Sequence, residues 1–587
     1  MNRFIGAIAR KGQLGPIVRL GIQELGVDIC TTLLIDLPHV VLAASGLSAI
    51  MLNHGDLRGA VLGTMFRKEK PGRIDRLGDA EILSIADTRG RQLFDHFWGH
   101  YVAVIALDDR IDILRAPFGE LALCWFKTSD TIFFGSDLRI LALCGCDVRS
   151  IAWDGVARHL AEADIRRDDT CLRGVYEVRG GNCLTVAAGN AALRTLWSPW
   201  SREDRIGSAT AAHRLRATID RCVADKVSEF RQPLLLLSGG LDSSIIASAL
   251  VTAGKPPIAL NLVTEDRSGD ERDYARTVAE TFGLHYFEEV RQIENVDLLR
   301  SDAAWLPRPS LRSFLQDSRQ LTNRVAGVTG ADVIIEGSGG DNVFCSLQSV
   351  GPVADRIRCG GTLNEVIESA RDIADLTDAT MLTVLRRAIY RAWFRRTAYR
   401  LLPDHSLLSP LAIALSAGAT DHPWLQDDRR NLSGKVGHIA MLVAAQGWVE
   451  CLDPMSLPPT LGPLLAQPIV ETCFAIPSWQ WFSEGQNRVI AREAYRNVLP
   501  DIILDRRSKA TPDSFVTQLY NRHRPLLVEL LLDGHLVHEG LLDRASLESA
   551  LRRDGPPLDH VHRRIMRIAD VEVWIRARLA TPFNRRF

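Results

Sequence analysis

One short segment limits the folds open to this chain more than any other. Residues 234–244 read LLLLSGGLDSS, an apolar run followed at once by a turn rich in glycine and serine. The apolar run follows Pro233 and predicts a strand that is buried on both faces of a parallel sheet. Residues 243–253, followed by Gly254, predict a helix that ends at this glycine. A strand, a tight turn and a helix in this order favour a doubly wound α/β fold.

The turn itself predicts a pyrophosphate-binding loop. Gly239 and Gly240 let the backbone approach a ligand closely, so that their N–H groups can point at phosphate oxygens. The three serines of the loop add hydroxyl donors, and the start of the following helix carries a partial positive charge. Asp242 would repel a polyphosphate unless a divalent cation lay between them, so we interpret it as a Mg²⁺ ligand. The simpler alternative is an N-cap on an ordinary α/β turn, which the complete run of serines, glycines and aspartate disfavours.

A second segment has the same form of strand, glycine-rich turn and carboxylate. Residues 332–344 read DVIIEGSGGDNVF, and Asp341 is the candidate for a second cation ligand. Both turns would lie at the carboxyl ends of strands, where doubly wound folds bind their ligands. Taken alone, this segment could also be a flexible surface turn. Beside the first loop, we interpret it as the other half of one site.

The residues between the two loops predict a further strand and helix of the same sheet. Residues 257–264 read as a parallel strand, and residues 273–281 as the helix that follows it. This arrangement would place Val263 near the adenine of a bound nucleotide.

Composition and charge exclude several other classes of protein. The chain has 587 residues and is 46% hydrophobic, which is more than a single core usually holds. A net charge of −1 gives no electrostatic case for nucleic-acid binding. The 11 cysteines form no CxxC pair, so neither a structural metal nor a disulfide framework is predicted. Residues 1–15 lack the apolar core of a signal peptide, and the apolar stretch 31–52 is interrupted by polar residues, so we expect a cytoplasmic protein without a membrane span.

The first part of the chain differs from the rest in its pattern. Short alternating runs at 101–107, 111–114 and 131–134 are separated by turn residues and indicate a β-rich layer. The segment WSPWSRED (197–204) precedes a predicted amphipathic helix over 209–230. We therefore predict an α/β and α+β protein of two domains, with residues 1–205 in the first and 206–587 in the second.

The heptapeptide at residues 238–244 resembles the loop of the N-type ATP pyrophosphatases, which split ATP between the α and β phosphates. This resemblance implies that ATP and Mg²⁺ are bound and that AMP and pyrophosphate are released. No G-x-x-x-x-G-K-[ST] string occurs, so the phosphorylating P-loop enzymes are disfavoured. The predicted ATP-binding residues are Leu236, Ser238, Gly239, Gly240, Leu241, Asp242, Ser243, Ser244, Val263, Gly337 and Gly340, and the predicted metal ligands, also taken as catalytic, are Asp242 and Asp341.

Three segments of the first domain resemble the glutaminase-type domain of asparagine synthetase B. They are FWGHYVAVI (97–105), RAPFGELALCW (115–125) and FFGSDLRIL (133–141). The resemblance implies a β-rich sandwich of the Ntn type, in which the glutaminase uses a cysteine directly after the initiator methionine. This chain has Asn2 at that position. We therefore expect a degenerate amidotransferase-like domain that is kept as a scaffold and releases no ammonia from glutamine.

The order of the two domains resembles the asparagine synthetase superfamily, in which an amine attacks an adenylated carboxylate. In the second loop, asparagine synthetases typically have glutamate between two glycines and β-lactam synthetases have tyrosine, whereas this chain has Ser338. Residues 339–346 and 463–479 instead resemble the lasso peptide cyclases. Residues 499–515 resemble the superfamily segment that carries a lysine into the active site, and Lys509 takes that position as a catalytic residue.

Arg506 and Arg507 are nearby alternatives to Lys509. Without the resemblance, a lysine in the run RRSK would be interpreted as a solvated surface charge.

The resemblance to lasso peptide cyclases implies a macrolactam synthetase that joins an Asp or Glu side chain of a ribosomal precursor peptide to its N-terminal amine. It also implies a leader peptidase and a leader-binding protein as partners. An α-amine with a pKa of about 7.7–8.0 is already partly neutral at cellular pH, which lowers the need for a strong general base. The alternative is a small-molecule amide or β-lactam synthetase that uses ammonia or an internal amine. A non-catalytic relative is disfavoured because Asp242, Asp341 and Lys509 are all present.

Residues 385–400 interleave arginines with aromatic residues at helical spacing. The favoured interpretation is an amphipathic helix with its aromatic face in the core and its arginines in water. A surface that grips a peptide or a partner is the alternative.

Overall fold

A computed structural model describes residues 2–19, 21–22, 32–201, 207–265, 271–394, 402–417, 422–426, 432–449, 456–507, 513–553 and 561–581. Within these ranges the chain forms two large antiparallel sheets, one parallel sheet, a short two-stranded hairpin and many helices. The antiparallel sheets come from the N-terminal region and the parallel sheet from the remainder.

Two six-stranded antiparallel sheets make up the N-terminal region. Their strands are β1 (Arg3–Ala9), β2 (Thr32–Leu37), β3 (Val40–Ser45), β4 (Ala49–Met51), β5 (Arg58–Arg67), β6 (Phe97–Leu107), β7 (Arg110–Arg115), β8 (Cys124–Lys127), β9 (Thr131–Gly135), β10 (Val175–Glu177), β11 (Asn182–Ala187) and β12 (Asn190–Thr195). The first sheet has the order β10-β8-β9-β1-β3-β2 and the second the order β12-β11-β7-β6-β5-β4.

The two sheets pack face to face as a sandwich. Their shared core includes Phe4, Leu42, Val104, Ile113 and Phe134, which come from strands of both sheets. Alternate residues of each strand point into this core because side chains along a strand alternate between its two faces. The alternating runs predicted as strands lie within β6, β7 and β9. The predicted β-rich layer is confirmed.

Helices cover both outer faces of the sandwich. They include α1 (Asp79–Asp87), α2 (Arg91–His96), α3 (Leu138–Leu143) and α4 (Trp153–Ala161). On the first sheet, Ile5 shares a core with Leu141 of α3 and Leu160 of α4. On the second sheet, Trp98 shares a core with Phe94 of α2.

The rest of the chain is organised around a five-stranded parallel sheet. Its strands are β13 (Pro233–Leu236), β14 (Ile258–Val263), β15 (Tyr286–Val290), β16 (Val333–Ile335) and β17 (Thr460–Leu461). Their order is β15-β14-β13-β16-β17. The helices around them are α5 (Ser208–Val227), α6 (Leu241–Thr252), α7 (Arg272–Phe282) and α8 (Gln316–Thr329). The strands and helices predicted between residues 209 and 281 agree with these elements to within three residues at each end.

Helices lie on both faces of the parallel sheet, as expected for a doubly wound fold. Leu234 and Ile334 pack on one face against Val325 of α8. Leu235 packs on the other face in the same core as Ile245 of α6. Successive residues of β13 therefore face opposite helical layers, which explains why the strand is apolar throughout.

The remaining described elements are mainly helices. They are α9 (Gly340–Val343), α10 (Gly351–Arg358), α11 (Leu363–Thr377), α12 (Met381–Trp393), α13 (Pro410–Ser416), α14 (Pro423–Gln426), α15 (Ser433–Val449), α16 (Gln467–Ala475), α17 (Val489–Ala494), α18 (Asp501–Leu504), α19 (Asp513–Leu532), α20 (His535–His538), α21 (Arg544–Arg552) and α22 (Val561–Leu579), with a hairpin of β18 (Phe482–Ser483) and β19 (Gln486–Asn487). Over the described ranges, none of these helices combines the length and apolar character needed to span a membrane.

The hydrophobic cores cross the predicted domain boundary. Leu519 of α19 and Trp574 of α22 lie in the same core as Ile5 of the first sheet. Ile219 of α5 lies in the same core as Trp98 of the second sheet. The boundary between residues 205 and 206 falls outside the described residues and stays a prediction.

Helix α12 corrects one expectation. Its buried side chains are small, and they are Val384, Ala388 and Ala392. The aromatic side chains are exposed, with Tyr390 at 60%, Trp393 at 63% and Phe394 at 73%. The predicted aromatic core face is therefore wrong. Helix α12 packs on α10 and α11 through these small side chains, and its rings lie on the opposite, exposed side.

Candidate active site

A cavity of about 780 Å³ opens at the carboxyl edge of the parallel sheet. It lies at the ends of the neighbouring strands β13 and β16, from which the chain continues in opposite directions across the sheet. The next strand after β13 is β14 on one side, and the next strand after β16 is β17 on the other. Leu236, Glu336 and Gly462 mark the ends of three strands in its wall. A switch point of this kind is where doubly wound sheets bind ligands.

Hydroxyl groups of the loop after β13 hold that loop in shape. The Ser238 Oγ lies 3.2 Å from the Ser243 Oγ and accepts a hydrogen bond from the Gly240 N–H at 3.3 Å. The hydroxyls of Ser243 and Ser244 both donate to the Gly240 carbonyl, at 3.2 and 2.8 Å. These bonds fix the N-terminus of α6 at the cavity wall, where its partial positive charge suits an anion.

Gly239 is required by both conformation and space. Its φ is +68°, in the left-handed region that favours glycine. A Cβ there would lie 2.4 Å from the Ala275 backbone nitrogen, so a side chain would push the loop away from α7.

The loops after β13 and β16 are in direct contact. A Cβ at Gly337 would lie 3.0 Å from the Ser243 backbone nitrogen. A Cβ at Gly340 would lie 2.3 Å from the Asp242 Cγ. The glycines of the second loop therefore allow it to pack against the first.

This packing brings Asp242 and Asp341 together. The Arg488 Nη1 donates to the Asp242 Oδ1 at 3.2 Å and also to the Asp341 Oδ1. A single nitrogen thus contacts one oxygen of each carboxylate, so the two oxygens are within reach of one cation. The Asp242 side chain is 11% exposed, whereas the Asp341 side chain is 33% exposed.

The two carboxylates fit a Mg²⁺ site. Mg²⁺ in proteins is usually held by one or two carboxylates together with substrate phosphates. Asp242 and Asp341 supply the carboxylates, and the adjacent N-terminus of α6 suits the phosphates. Within the described ranges, no group of three or more His, Cys, Asp and Glu side chains could hold a metal ion.

Two arginines border the same site, one directly before α17 and the other shortly after α18. The Arg506 Nη1 donates to the Gly239 carbonyl at 3.3 Å, and its Nη2 donates to the Glu271 Oε1 at 2.6 Å. Its guanidinium also lies 4.0 Å from the centre of the Tyr274 ring. Arg488, just before α17, has a φ of +58°, which is strained for a residue with a side chain. Strain of this kind is found most often at functional sites.

A third carboxylate lines the cavity. Glu336 accepts a hydrogen bond from the Ser338 hydroxyl at 2.9 Å. Burial raises the pKa of Glu336, and the opposing effects of this hydrogen bond and of Arg319 do not cancel the rise.

The cavity also reaches the N-terminal region through Glu120 and Asp164. Lys226 of α5 donates to the Glu120 Oε1 at 3.1 Å, and the His100 Nδ1 lies 3.8 Å from the Glu120 Oε2. Asn2, which stands where the glutaminase has its cysteine, is exposed.

Most of the residues predicted from the sequence line this cavity. They are Leu236, Ser238, Gly240, Leu241, Asp242, Ser243, Gly337 and Asp341. Gly239, Ser244, Val263 and Gly340 are not among the described lining residues, and in β14 it is Leu262, next to Val263, that reaches the wall. The assignment of all these residues, lining or not, to ATP or metal binding stays a prediction. Lys509 lies outside the described residues.

Sequence reasoning missed Arg488 and did not use Glu336. The position of Glu336, a carboxylate at the end of an apolar strand and directly before the glycines, was a visible signal. Arg488 lies almost 150 residues from Asp341, and nothing in its local sequence indicates that it contacts both loops.

A second opening, of about 840 Å³, lies beside α12. Its described lining includes Arg386, Arg387 and Arg391 but no carboxylate. Among its described lining residues it therefore lacks the carboxylates that would hold Mg²⁺ beside a nucleotide.

Comparison with known proteins agrees with the chemistry of the main cavity. The asparagine synthase family matches residues 214–396 and 461–576, which together are just over half of the chain. Carboxyethyl-arginine beta-lactam-synthase of Streptomyces clavuligerus is 26% identical over 206 residues, which are 35% of this chain and 38% of that relative. The chain thus spans well under half the length of this relative.

Two solved structures are similar to parts of the chain. An allosteric regulatory enzyme of purine biosynthesis shares 10% identity over 49% of this chain and 74% of that chain, with a TM-score of 0.21. Glutamine phosphoribosylpyrophosphate amidotransferase from B. subtilis shares 12% identity over 67% of this chain and 88% of that chain, with a TM-score of 0.19. Scores this low carry no argument about fold or activity. The family match covers both loops of the cavity, and it shows that the chain belongs to the asparagine synthase family.

Proposed function

We propose that the protein is an ATP-dependent, AMP-forming amide ligase that closes a macrolactam ring in a ribosomal precursor peptide, as in lasso peptide cyclisation. One observation carries the proposal. Asp242 and Asp341 converge on Arg488 beside the N-terminus of α6, at the switch point of a parallel sheet and in the wall of a large cavity. This arrangement suits the binding of a nucleotide triphosphate with its cation.

In the first step, an Asp or Glu side chain of the peptide is adenylated. A carboxylate oxygen forms a bond to the α-phosphorus of ATP, and the bond from that phosphorus to pyrophosphate breaks. The loop around Ser238 and Ser243 binds the phosphates, and Asp242 and Asp341 would hold Mg²⁺, which neutralises phosphate charge when bound. Arg488, Arg506 and the predicted Lys509 are the cations of the protein that would stabilise the charge of the transition state.

In the second step, the N-terminal amine of the same peptide attacks the acyl carbon, and AMP leaves. The main task of the protein here is to hold the amine close to the adenylate, an effect that can lower the barrier by about 7–11 kcal/mol at most. The cavity continues past the two loops to α8 and to Glu120 and Asp164, which supports a substrate that extends beyond the nucleotide.

The N-terminal sandwich is proposed to be a degenerate amidotransferase-like scaffold of the Ntn type. Asn2 supports this because it offers no thiolate to attack glutamine. The amine would then come from the peptide itself. In this proposal the enzyme acts in the cytoplasm, where a leader peptidase and a leader-binding protein prepare the precursor.

A second candidate is a small-molecule amide or β-lactam synthetase. The observation in its favour is the partial similarity to a β-lactam synthase. Both candidates share the adenylation step and differ in the origin of the carboxylate and the amine.

The deciding experiment combines the protein with ATP, Mg²⁺, a leader peptidase and the small precursor peptide encoded beside its gene. Intact-mass spectrometry of the core peptide and quantification of AMP are performed in parallel. Loss of one water with an equal amount of AMP is the expected result. AMP formation with small carboxylic acids but not with the peptide would support the second candidate. The Asp341→Asn variant serves as the control for contaminating ATP hydrolysis.

A further inference from the structure

Glu336 is fixed in the wall of the cavity by its backbone and by one neighbour. It follows β16 directly, and its N–H donates to the Leu461 carbonyl of the adjacent strand at 3.0 Å. Its Oε2 accepts the hydrogen bond from Ser338 at 2.9 Å. In the part of the chain that the structure describes, the Oε1 accepts no hydrogen bond. One carboxylate oxygen therefore has the capacity to accept a proton from a bound substrate.

Glu336 lies between the part of the cavity that the two loops border and the part that α8 borders. The next residue, Gly337, packs on the Ser243 backbone, so Glu336 lies one residue from the contact between the two phosphate-facing loops. The cavity wall beyond it is formed by α8, including Arg319 and Thr322. A group at this junction can meet a substrate whose carboxylate is activated at the loops and whose amine approaches from the side of α8.

Glu336 differs from the two cation-binding carboxylates in its charge partners. Asp242 and Asp341 both contact Arg488. Among the described residues, the cation that acts on Glu336 is Arg319, which forms its ion pair with Asp302 at 2.5 Å and makes no ion pair with Glu336. Glu336 is partly buried, and a carboxylate that is partly desolvated without a direct ion pair disfavours folding in its ionised form, so a purely structural role would be served better by glutamine.

We infer that Glu336 is the proton acceptor for the attacking amine in the amide-forming step, with Ser338 as its positioning residue. This inference rests on the proposed function. The amine nitrogen forms a bond to the acyl carbon, the carbon–oxygen bond to AMP breaks, and one N–H proton passes to the Glu336 carboxylate before its release to solvent. The raised pKa of Glu336 supports this role, because a base is most effective when its pKa is close to the working pH.

The test separates adenylation from amide formation. ATP–pyrophosphate exchange that depends on the substrate reports adenylation, and the mass of the product reports ring closure. Glu336→Gln keeps the size and the hydrogen-bond acceptor for Ser338. It is expected to keep exchange within about threefold of wild type while ring closure falls by about 10²–10⁴-fold. The matched control is Glu280→Gln, which removes an exposed carboxylate from the outer side of α7 and should change neither rate.

Two results would overturn the inference. Ring closure by Glu336→Gln within a few-fold of wild type would show that no proton acceptor is needed there. An equal loss of exchange and ring closure would instead assign Glu336 to the nucleotide or cation site. If wild type shows no exchange with any carboxylic substrate, the proposed function itself fails, and the two failures are thus distinguishable.

If Glu336→Gln does not fold, a second variant, Ser338→Ala, can test the inference. The Ser338 hydrogen bond lowers the pKa of Glu336, so Ser338→Ala should raise it. The acidic limb of the pH profile for ring closure is then expected to move to higher pH, while the profile for exchange stays in place. An unchanged ring-closure profile in Ser338→Ala would contradict the role of Glu336.

Discussion

Glu177 in the N-terminal sandwich and Asp341 beside the parallel sheet are both carboxylates that contact arginine. Glu177 is fully buried, and its two oxygens accept hydrogen bonds from Arg166 and Arg308. Burial alone would raise the pKa of Glu177, but the two guanidinium groups outweigh this effect and hold it well below its usual range. Arg308 lies outside the sandwich strands, so the cluster joins β10 to the segment before α8.

Asp341 has similar partners in a different setting. It shares Arg488 with Asp242, and its side chain is 33% exposed to the cavity. A ligand can therefore reach Asp341, whereas none can reach Glu177. The comparison teaches that a cluster of paired charges indicates a binding site only when it also borders open volume. Without that volume, the same groups hold two segments together.

The largest effect on activity is expected when the cluster of Asp242, Asp341 and Arg488 at the cavity is changed. Asp341→Asn removes one of the two charges that would hold Mg²⁺, and we expect ATP–pyrophosphate exchange to fall by at least about 10²–10³-fold. The unfolding temperature should change little, because Asp341 is partly exposed. Exchange within tenfold of wild type at saturating Mg²⁺ would contradict the two-carboxylate site.

A change in the buried cluster of Glu177, Arg166 and Arg308 should instead lower stability. Glu177→Ala leaves two guanidinium groups buried without their carboxylate, and the free energy of unfolding is expected to fall by about 3–5 kcal/mol. Denaturant titration gives this value, and the exposed Glu280→Ala is the control, with an expected change below about 0.5 kcal/mol. A loss as small as that of the control would mean that the Glu177 cluster does not hold the segments together.

Asp570 of α22 extends the comparison, because it is only partly buried and, within the described residues, has no ion pair. It accepts a hydrogen bond from the Ser313 N–H at 3.0 Å, and burial raises its pKa from 3.8 to about 6. The folded state therefore binds a proton more tightly than the unfolded state. The stability that this supplies is complete below about pH 4 and is lost as the pH rises through about 6.

Asp570→Asn keeps a hydrogen-bond acceptor and removes this pH dependence. The free energy of unfolding of the variant minus that of wild type is expected to increase from pH 5 to pH 7.5. The increase should be at most about 3 kcal/mol. Denaturant titrations of both proteins at the two pH values measure the change. Parallel pH dependence of the two proteins would show that Asp570 does not titrate in this range.

The smallest effect concerns the backbone of Arg488. Arg488→Gly and Arg488→Ala should slow exchange to the same extent, since both lose the guanidinium. Alanine keeps the strain of a φ of +58°, so Arg488→Ala is expected to be less stable than Arg488→Gly by about 1 kcal/mol. Equal unfolding temperatures of the two variants would mean that this conformation stores no strain.

Local chemistry explains which features could be predicted from the sequence. The strand at β13, the turn at Gly239 and the helix α6 are determined by residues that are adjacent in the chain. Asp341 could be predicted for the same reason, because its own segment repeats the pattern. Arg488 could not, since its contacts depend on how a distant helix packs across the two loops.

The exposed rings at the end of α12 are another feature that the local sequence could not predict. Helical periodicity places Tyr390 and Trp393 on the surface opposite to Ala388 and Ala392, but it does not state which of the two surfaces is buried. That choice depends on how closely α10 and α11 approach. The place of Glu336 in the cavity wall likewise depends on β17 and α8, which lie more than a hundred residues apart in the chain.

The close packing of the two loops at Gly337 and Gly340 leaves neither loop space to shift alone. Binding of ATP then requires no mutual rearrangement of the loops before the phosphates arrive. Association should consist of diffusion followed by displacement of the Arg488 side chain from the two carboxylates, a side-chain movement that is fast compared with the encounter. In stopped-flow experiments, the observed rate constant should rise linearly with ATP concentration, without the plateau that a slow opening of the loops would impose.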